Sequence, residues 1–422
     1  MIPLPRLAAC ALAGSLVSAV ASAQPAASPP PASPATREAA PATITLREAL
    51  DAAWQRAVSA REAEGQRRRA DAERTAATSL WAAPPALELS HRSDRLHRNA
   101  GGRETEIGIA MPLWLPGQKA ARTGTADTSA EQALAAGQVA RLRLAGELRE
   151  VAWQVAALEA EAAQADAQAA LLRQLADDVD RRVRAGDLAR ADSLAAQAEL
   201  LAAAANQADA RQRLRAAEAR WALLTGSKAR PDLADVAAPD SAAADVAGHP
   251  EWQLASQSTE LARKRLALVR HSRRDAPELM VGVRQDTSGR GEASQGSLVV
   301  GLRLPFGTDD RNRPLEAAAL AELDVAQTQE QRLRERLDSE VAAAREAQRS
   351  AQSQLDAESA RARLLRERVA LVDKSFRVGE TPLPDLLRAH AASAQADSAV
   401  ARQTAALGLA RARLQQALGL LP

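Results

Sequence analysis

Residues 184–194 read RAGDLARADSL, and residues 377–387 read RVGETPLPDLL. At an offset of 193, Arg184, Gly186, Asp187, Asp192 and Leu194 fall on Arg377, Gly379, Glu380, Asp385 and Leu387, and Gly226 falls on Gly419. The same offset pairs Gly108 with Gly301 and Pro112 with Pro305, while an offset of 192 pairs Pro85, Leu87, Arg92 and Asp94 with Pro277, Leu279, Arg284 and Asp286. One slip of a single residue over more than 130 positions marks an internal duplication. In both turns a glycine stands between two helix-periodic stretches, with a cation before it and an anion at the start of the next stretch. That order describes a helix that stops, reverses and starts again.

The stretch leading into the first turn carries a seam in steps of four and three: Leu144, Leu148, Val151, Val155, Leu158, Ala162, Ala165, Ala169, Leu172, Ala176, Val179 and Val183. The matching seam runs from Leu337 to Phe376. A sustained heptad with many alanines implies closely approached, coiled-coil-like helices. From Gln118 to Ala185 such a helix is roughly 100 Å long at about 1.5 Å per residue. The returning helix, about 188–224, is shorter. It is expected to stack end to end on the entering helix of the following repeat, leaving the linker 225–248 as a side lobe partway along the shaft.

Ahead of each long helix lie two short segments with a period of two. Leu87, Leu89 and His91 oppose Glu88, Ser90 and Arg92, and Leu298, Val300, Leu302 and Leu304 oppose Val299, Gly301 and Arg303. Strands are expected near 86–94, 104–113, 278–286 and 297–305, joined by polar, Gly-rich hairpin loops. Entering helices precede them at about 45–80 and 250–274. The first opens with the capping box Thr45-Leu46-Arg47-Glu48, with Ile44 placed to staple onto the first turn.

The chain has 422 residues, of which 46% are hydrophobic, 26% charged and 2% aromatic, with no Tyr, one Cys and about a quarter Ala. Large side chains for a thick core are scarce, which favours thin helix-on-helix packing. The 55 Lys and Arg are interspersed with 53 Asp and Glu, so no basic face exists for nucleic acid. Beyond the first 25 residues no apolar run reaches the roughly 18 to 20 residues of a spanning helix. The five histidines, His91, His97, His249, His271 and His390, form no ligand-spaced pair, and no phosphate loop or nucleophile motif follows a strand. No enzyme activity, cofactor or metal centre is expected. His91 and His97, flanking the first hairpin loop, read as solvated loop residues or as points a passing cation touches.

Residues 1–23 have the layout of a secretory signal: Arg6, an apolar run, and Ala21-Ser22-Ala23 before Gln24. A competing reading takes Leu7-Ala8-Ala9-Cys10 as a lipidation box, but this leaves three residues between Arg6 and Cys10, too few for an apolar region. Cleavage after Ala23 would remove the cysteine. Residues 24–43 are a Pro- and Ala-rich tether, 44–226 the first repeat, 227–248 a linker and 249–422 the second repeat.

Four half-apolar strands of about ten residues cannot close a sheet within one chain. At about 3.3 Å per residue and a tilt near 40°, each covers roughly the 25 Å apolar band of an outer-membrane barrel. Open edges are not tolerated in lipid, so closure requires other copies. At this point the sequence resembles the TolC family of outer-membrane efflux proteins, from Thr45 to Pro422. The resemblance rests on Leu46-Arg47-Glu48-Ala49-Leu50, His249-Pro250-Glu251, Met111-Pro112-Leu113, Leu304-Pro305-Phe306 and the two glycine turns. Gly117-Gln118-Lys119-Ala120-Ala121-Arg122 and Asp310-Arg311-Asn312-Arg313 look closest to the branch serving heavy-metal cation efflux; drug-efflux and type I secretion ducts share the scaffold.

The resemblance implies a mainly α protomer with a small β part. Three copies would complete a 12-stranded β-barrel in the outer membrane, continuous with a periplasmic α-helical barrel. The implied partners are a periplasmic membrane-fusion adaptor and an inner-membrane pump of the RND type. Residues 184–194 and 377–387 would be periplasmic tips touching the adaptor, although simple helix-end complementarity accounts equally for their charges. Asp385 matches a position where family members narrow the channel. Arg388 stands where a second carboxylate can occur, so Asp385 either faces the lumen or forms an interhelical pair with Arg388. Val58-Ser59 replaces the family's Asn-Pro, which leaves the first entering helix free to run unbroken. Trp81, Trp114 and Phe306 fall at the barrel base. A periplasmic coiled-coil adaptor or structural protein is the other reading of the heptads, but it leaves the two strand pairs unexplained.

Overall fold

A computed structural model describes residues 42–97, 99–233, 246–306 and 309–422. The expected signal and most of the tether lie outside the described residues. In order, the elements are β1 (Thr43–Thr45), α1 (Leu46–Arg56), α2 (Val58–Ala77), β2 (Ala86–Ser93), β3 (Arg103–Pro112), α3 (Gln118–Ala185), α4 (Arg190–Thr225) and β4 (Arg230–Asp232). A 3-10 turn (Val246–Gly248) leads to α5 (Pro250–His271), β5 (Glu278–Thr287), β6 (Gln295–Arg303), α6 (Asp309–Arg377) and α7 (Leu383–Ala417). No described helix is long and apolar enough to cross a membrane.

The long helix α3 has the bounds that the periodicity predicts, and α6 matches it at 69 residues. Along α3, Leu148, Val151, Val155, Ala162, Ala165, Ala169, Leu172, Ala176 and Val179 are buried. The opposite seam on α6 is thinner: Leu337, Ala351, Ala362 and Phe376 are buried, while Leu364 and Leu371 on other faces stand 62% and 65% exposed. The difference follows from position. The helix α3 is packed along its length by α1, α2, α4, α5 and α7, whereas α6 packs mainly on α5 and α7 and reaches α3 at the tip.

The stacking of the shorter helices departs from expectation. Each returning helix meets the entering helix of its own repeat. Ala217 and Trp221 of α4 share a core with Leu46, Ala49 and Leu50 of α1, and just past α7 lies Gly419, where an added Cβ would lie 2.6 Å from the His249 ring and 2.8 Å from Pro250 of α5. The cause is the short strand after α4. Thr43–Thr45 pairs in parallel with Arg230–Asp232, which pins the end of α4 beside the start of α1. The rest of the linker, 234–245, lies outside the described residues.

The first entering helix is broken, against expectation. Thr45 caps α1: its hydroxyl accepts the Glu48 N–H at 3.2 Å, and the Glu48 carboxylate accepts the Thr45 N–H at 3.1 Å. At Ala57 the backbone is extended (φ −69°, ψ 138°) and α2 starts anew at Val58. No proline is needed for the break. The two halves pack on different parts of α3, Leu46, Ala49 and Leu50 at Leu148 and Val151, and Ala70 at Ala130 and Ala133. Packing on two sites outweighs the small gain from one continuous helix. The second entering helix, capped by the His249 ring, is continuous.

Mid-shaft, Arg149 of α3 is 2% exposed. It donates to the Gln416 side chain at 2.6 Å and to the Leu420 carbonyl at 2.8 Å, tying the end of α7 to α3. Burial lowers its pKa to about 10.

Candidate functional site

At the tip, α3 and α6 end in the same geometry. Gly186 and Gly379 adopt φ of 92° and 83°. The Gly186 N–H donates to Val183 O at 3.1 Å and the Asp187 N–H to Arg182 O at 2.9 Å; Gly379 to Phe376 (3.1 Å) and Glu380 to Ser375 (3.0 Å) repeat the pattern. This is a Schellman closure, and the left-handed backbone explains the glycines. Both expected cations serve their own helix ends. Arg184 donates to Asp180 O at 3.2 Å, and Arg377 pairs with Asp373 at 2.7 Å.

The aspartates that open the next helices diverge. The Asp192 carboxylate accepts the Ala189 N–H at 3.2 Å, closing the first turn of α4. At the equivalent place α7 has Pro382, which has no N–H to give. The Asp385 carboxylate pairs instead with Arg388 at 2.7 Å, three residues along the same helix. The expected interhelical pair is therefore an intrahelical one. Leu387 packs against the tip core, while Leu194 is 59% exposed; Asp187 and Glu380 are also exposed.

Two tip residues escaped sequence reasoning as a site. Ala176, Val179, Ala196, Phe376, Leu383 and Leu386 form the core that joins all four helices, and the Arg182 guanidinium lies 5.1 Å from the Phe376 ring centre. This cation–π contact links the end of α3 to the end of α6. The available signal was that Phe376, one of two phenylalanines, takes the seam position that Val183 holds in the first repeat.

At the other end, β2, β3, β5 and β6 form one antiparallel sheet in that order, with β2 and β6 at its edges. Register gives the sheet one face with a continuous apolar band and an opposite face that is mostly polar, with Met280 and Val299 as its large apolar members. Leu87 stands opposite Ile109, which stands opposite Val281 and then Val300; Leu89, Ile107, Val283 and Leu298 form the next row, and Met111, Leu279 and Leu302 the row below. Most of these residues are exposed, so the apolar face has no cover within the chain. The other face carries Glu88, Ser90 and Arg92 on β2, Glu104 and Glu106 on β3, Arg284 and Asp286 on β5 and Gln295 and Ser297 on β6; Arg284 pairs with Glu104 at 2.8 Å.

Trp81, Trp114 and Phe306 sit where strands meet helices. Trp114 donates from its ring N–H to Ser79 O at 3.1 Å, Trp81 is half-buried, and Phe306 is 89% exposed. His91 shares a hydrogen bond with Thr105 at 2.9 Å. Among the described residues no three His, Cys, Asp or Glu side chains gather as a metal centre would require.

No family model matches the chain, and no curated protein matches it. Among solved structures, it is similar to the outer-membrane protein VceC of Vibrio cholerae (TM-score 0.70, 16% identity, 89% of this chain and 96% of that one). It is likewise similar to the CmeC outer-membrane channel of Campylobacter jejuni (0.70, 14%, 89% and 85%). CusC, described in terms of transmembrane channel formation, gives 0.72 and 16%, over 89% and 92%. At these identities the likeness shows the fold: long helices continuous with a small sheet, as in outer-membrane channels.

Proposed function

We propose that this chain is the outer-membrane duct of a tripartite efflux system, a TolC-like homotrimer conducting passively what an inner-membrane pump and a periplasmic adaptor deliver. The observation that carries the reading is the sheet, with an apolar band across one face, a mostly polar opposite face and, among the described residues, no partner for either edge. Such a sheet is stable in lipid only when closed. Three copies joined β6 to β2 give twelve strands, with the apolar face toward lipid. The helices agree. Leu364 and Leu371 on α6 and Leu201 and Leu223 on α4 are exposed, apolar side chains that a neighbouring copy would cover. The matching tip closures support the duplication and fit a surface that meets an adaptor.

For the substrate, the reading favours heavy-metal cations. The inward face carries Glu88, Glu104, Glu106, Glu278 and Asp286 against Arg92, Arg284 and Arg303, an excess of carboxylates that each copy would repeat around the lumen. The motifs at 117–122 and 310–313 point the same way.

Cell fractionation with single-channel recording tests the duct. A heat-sensitive trimer in the outer-membrane fraction that conducts is expected; a soluble periplasmic monomer overturns the reading and favours a coiled-coil adaptor. Gene deletion tests the cargo. Hypersensitivity to metal cations is expected, whereas unchanged metal tolerance with hypersensitivity to hydrophobic drugs replaces cations with drugs.

A further inference from the structure

The apolar face of the sheet ends abruptly at its loop side, where it gives way to a chemically uniform polar rim. Above the row of Leu89, Ile107, Val283 and Leu298 the same face presents His91, Thr105, Gln285 and Gly296, and above that Ser93, Arg103 and Thr287. Every polar side chain in these two rows can donate a hydrogen bond. No carboxylate stands on this face of any of the four strands. The acids at that height are used elsewhere. Glu104 and Asp286 point to the opposite face, Glu104 in its pair with Arg284, and the Asp94 carboxylate accepts the Ala100 and Gly101 N–H groups at 2.8 and 3.3 Å. Glu292 lies in the β5–β6 loop.

Arg103 is exposed, and among the described residues no carboxylate lies within ion-pair distance of it or of Arg95, which is also exposed two residues beyond Ser93, the strand partner of Arg103. The neighbouring loop is braced rather than neutralised: Arg290 donates to the Asn99 side chain at 3.2 Å and, through its N–H, to Ala100 O at 2.9 Å. Barrels in membranes fix their height with aromatic girdles at both interfaces. Neither hairpin, 86–112 or 278–303, contains a Phe, Trp or Tyr. The loop-side rim therefore has cations and donors where an aromatic belt would stand.

We infer that this rim, centred on Arg103 with His91, Thr105 and Gln285 below it and Arg95 beside the same hairpin loop, binds the phosphate groups of outer-leaflet lipid. This rests on the duct reading, which puts the apolar face in the membrane. A guanidinium without a protein carboxylate, at the edge of an apolar band, matches a phosphate in geometry and charge. Donor side chains in the row below complete the headgroup contact. Basic groups at a bilayer surface recognise phosphorylated headgroups in the same way. Uncharged or zwitterionic lipid offers the rim no net charge to meet.

The test uses the full-length protein reconstituted into phosphatidylcholine vesicles with no addition, with lipid A, or with lipid A stripped of its phosphates, followed by the melting temperature of the oligomer. Phosphorylated lipid A is expected to raise it, dephosphorylated lipid A and free inorganic phosphate are not, and high salt should erase the gain. The double variant Arg95→Gln with Arg103→Gln is expected to lose the gain, and Arg95→Lys with Arg103→Lys to keep most of it. Equal stabilisation by both forms of lipid A, or a gain that survives in the double Gln variant with its circular dichroism intact, overturns the inference. Failure to insert into vesicles at all sinks the duct reading instead, so the two failures are told apart.

Discussion

A single hydrogen atom in place of a side chain lets α7 lie against α3. At Gly408, an added Cβ would fall 2.1 Å from the Trp153 ring, well inside contact distance, so the indole occupies the space that any other residue would fill. Gly408→Ala gains about 1 kcal/mol of helix propensity, but overpacking costs typically about 1–3 kcal/mol. Net destabilisation is expected in thermal or denaturant unfolding, relieved when Trp153→Leu is added. His249 makes a second prediction. Its neutral Nδ1 accepts the Glu251 N–H at 3.1 Å, and burial lowers its pKa below the ordinary 6.5, only partly opposed by Glu251 and Glu340. Because the folded value lies below the unfolded one, the stabilisation is complete above pH 6.5 and is lost as pH falls through the lowered value. His390, also lowered by burial, contributes to the same slope. Melting temperature should therefore fall as pH drops below about 6.5, and His249→Asn, which caps without titrating, should flatten part of that fall.

At the scale of elements, the break at Ala57 separates two accounts of the first entering helix. Val58 occupies the first helical position of α2 and Ala57 before it is extended, a backbone that already suits a proline. Val58→Pro should leave stability within about 1 kcal/mol of the parent, whereas a proline inside a continuous helix costs about 3 kcal/mol. A large loss of helical signal on circular dichroism would contradict the break. This is also where the sequence was least legible. The bounds of α3 follow from periodicity and glycine placement, and the four strands fall within two residues of their expected ends, because those signals are local. The break and the stacking of α4 beside α1 depend on which distant surface receives Leu50 and Trp221, and no local pattern encodes that. At the tip, turn geometry was readable from Gly186 and Gly379. The destination of the Asp385 carboxylate was set by a missing N–H at Pro382, a detail visible in the sequence but decisive only once Arg388 is placed beside it.

Across the whole molecule, the exposed apolar residues on α6 are contact surface in the proposed trimer and idle in an isolated chain. Leu364→Glu with Leu371→Glu should leave the helical content of the protomer intact while shifting size-exclusion or crosslinking profiles from trimer toward monomer. An unchanged trimer would remove α6 from the contact. The unpaired edges of β2 and β6 carry this dependence into the membrane, since no copy can satisfy its own strands. Inheritance should reflect that geometry. In a cell expressing equal amounts of intact chain and a chain with prolines placed along the β6 edge, only about one trimer in eight would contain three intact copies if subunits mix freely. The defective allele should therefore behave as dominant, and the residual conductance of outer-membrane preparations would measure it.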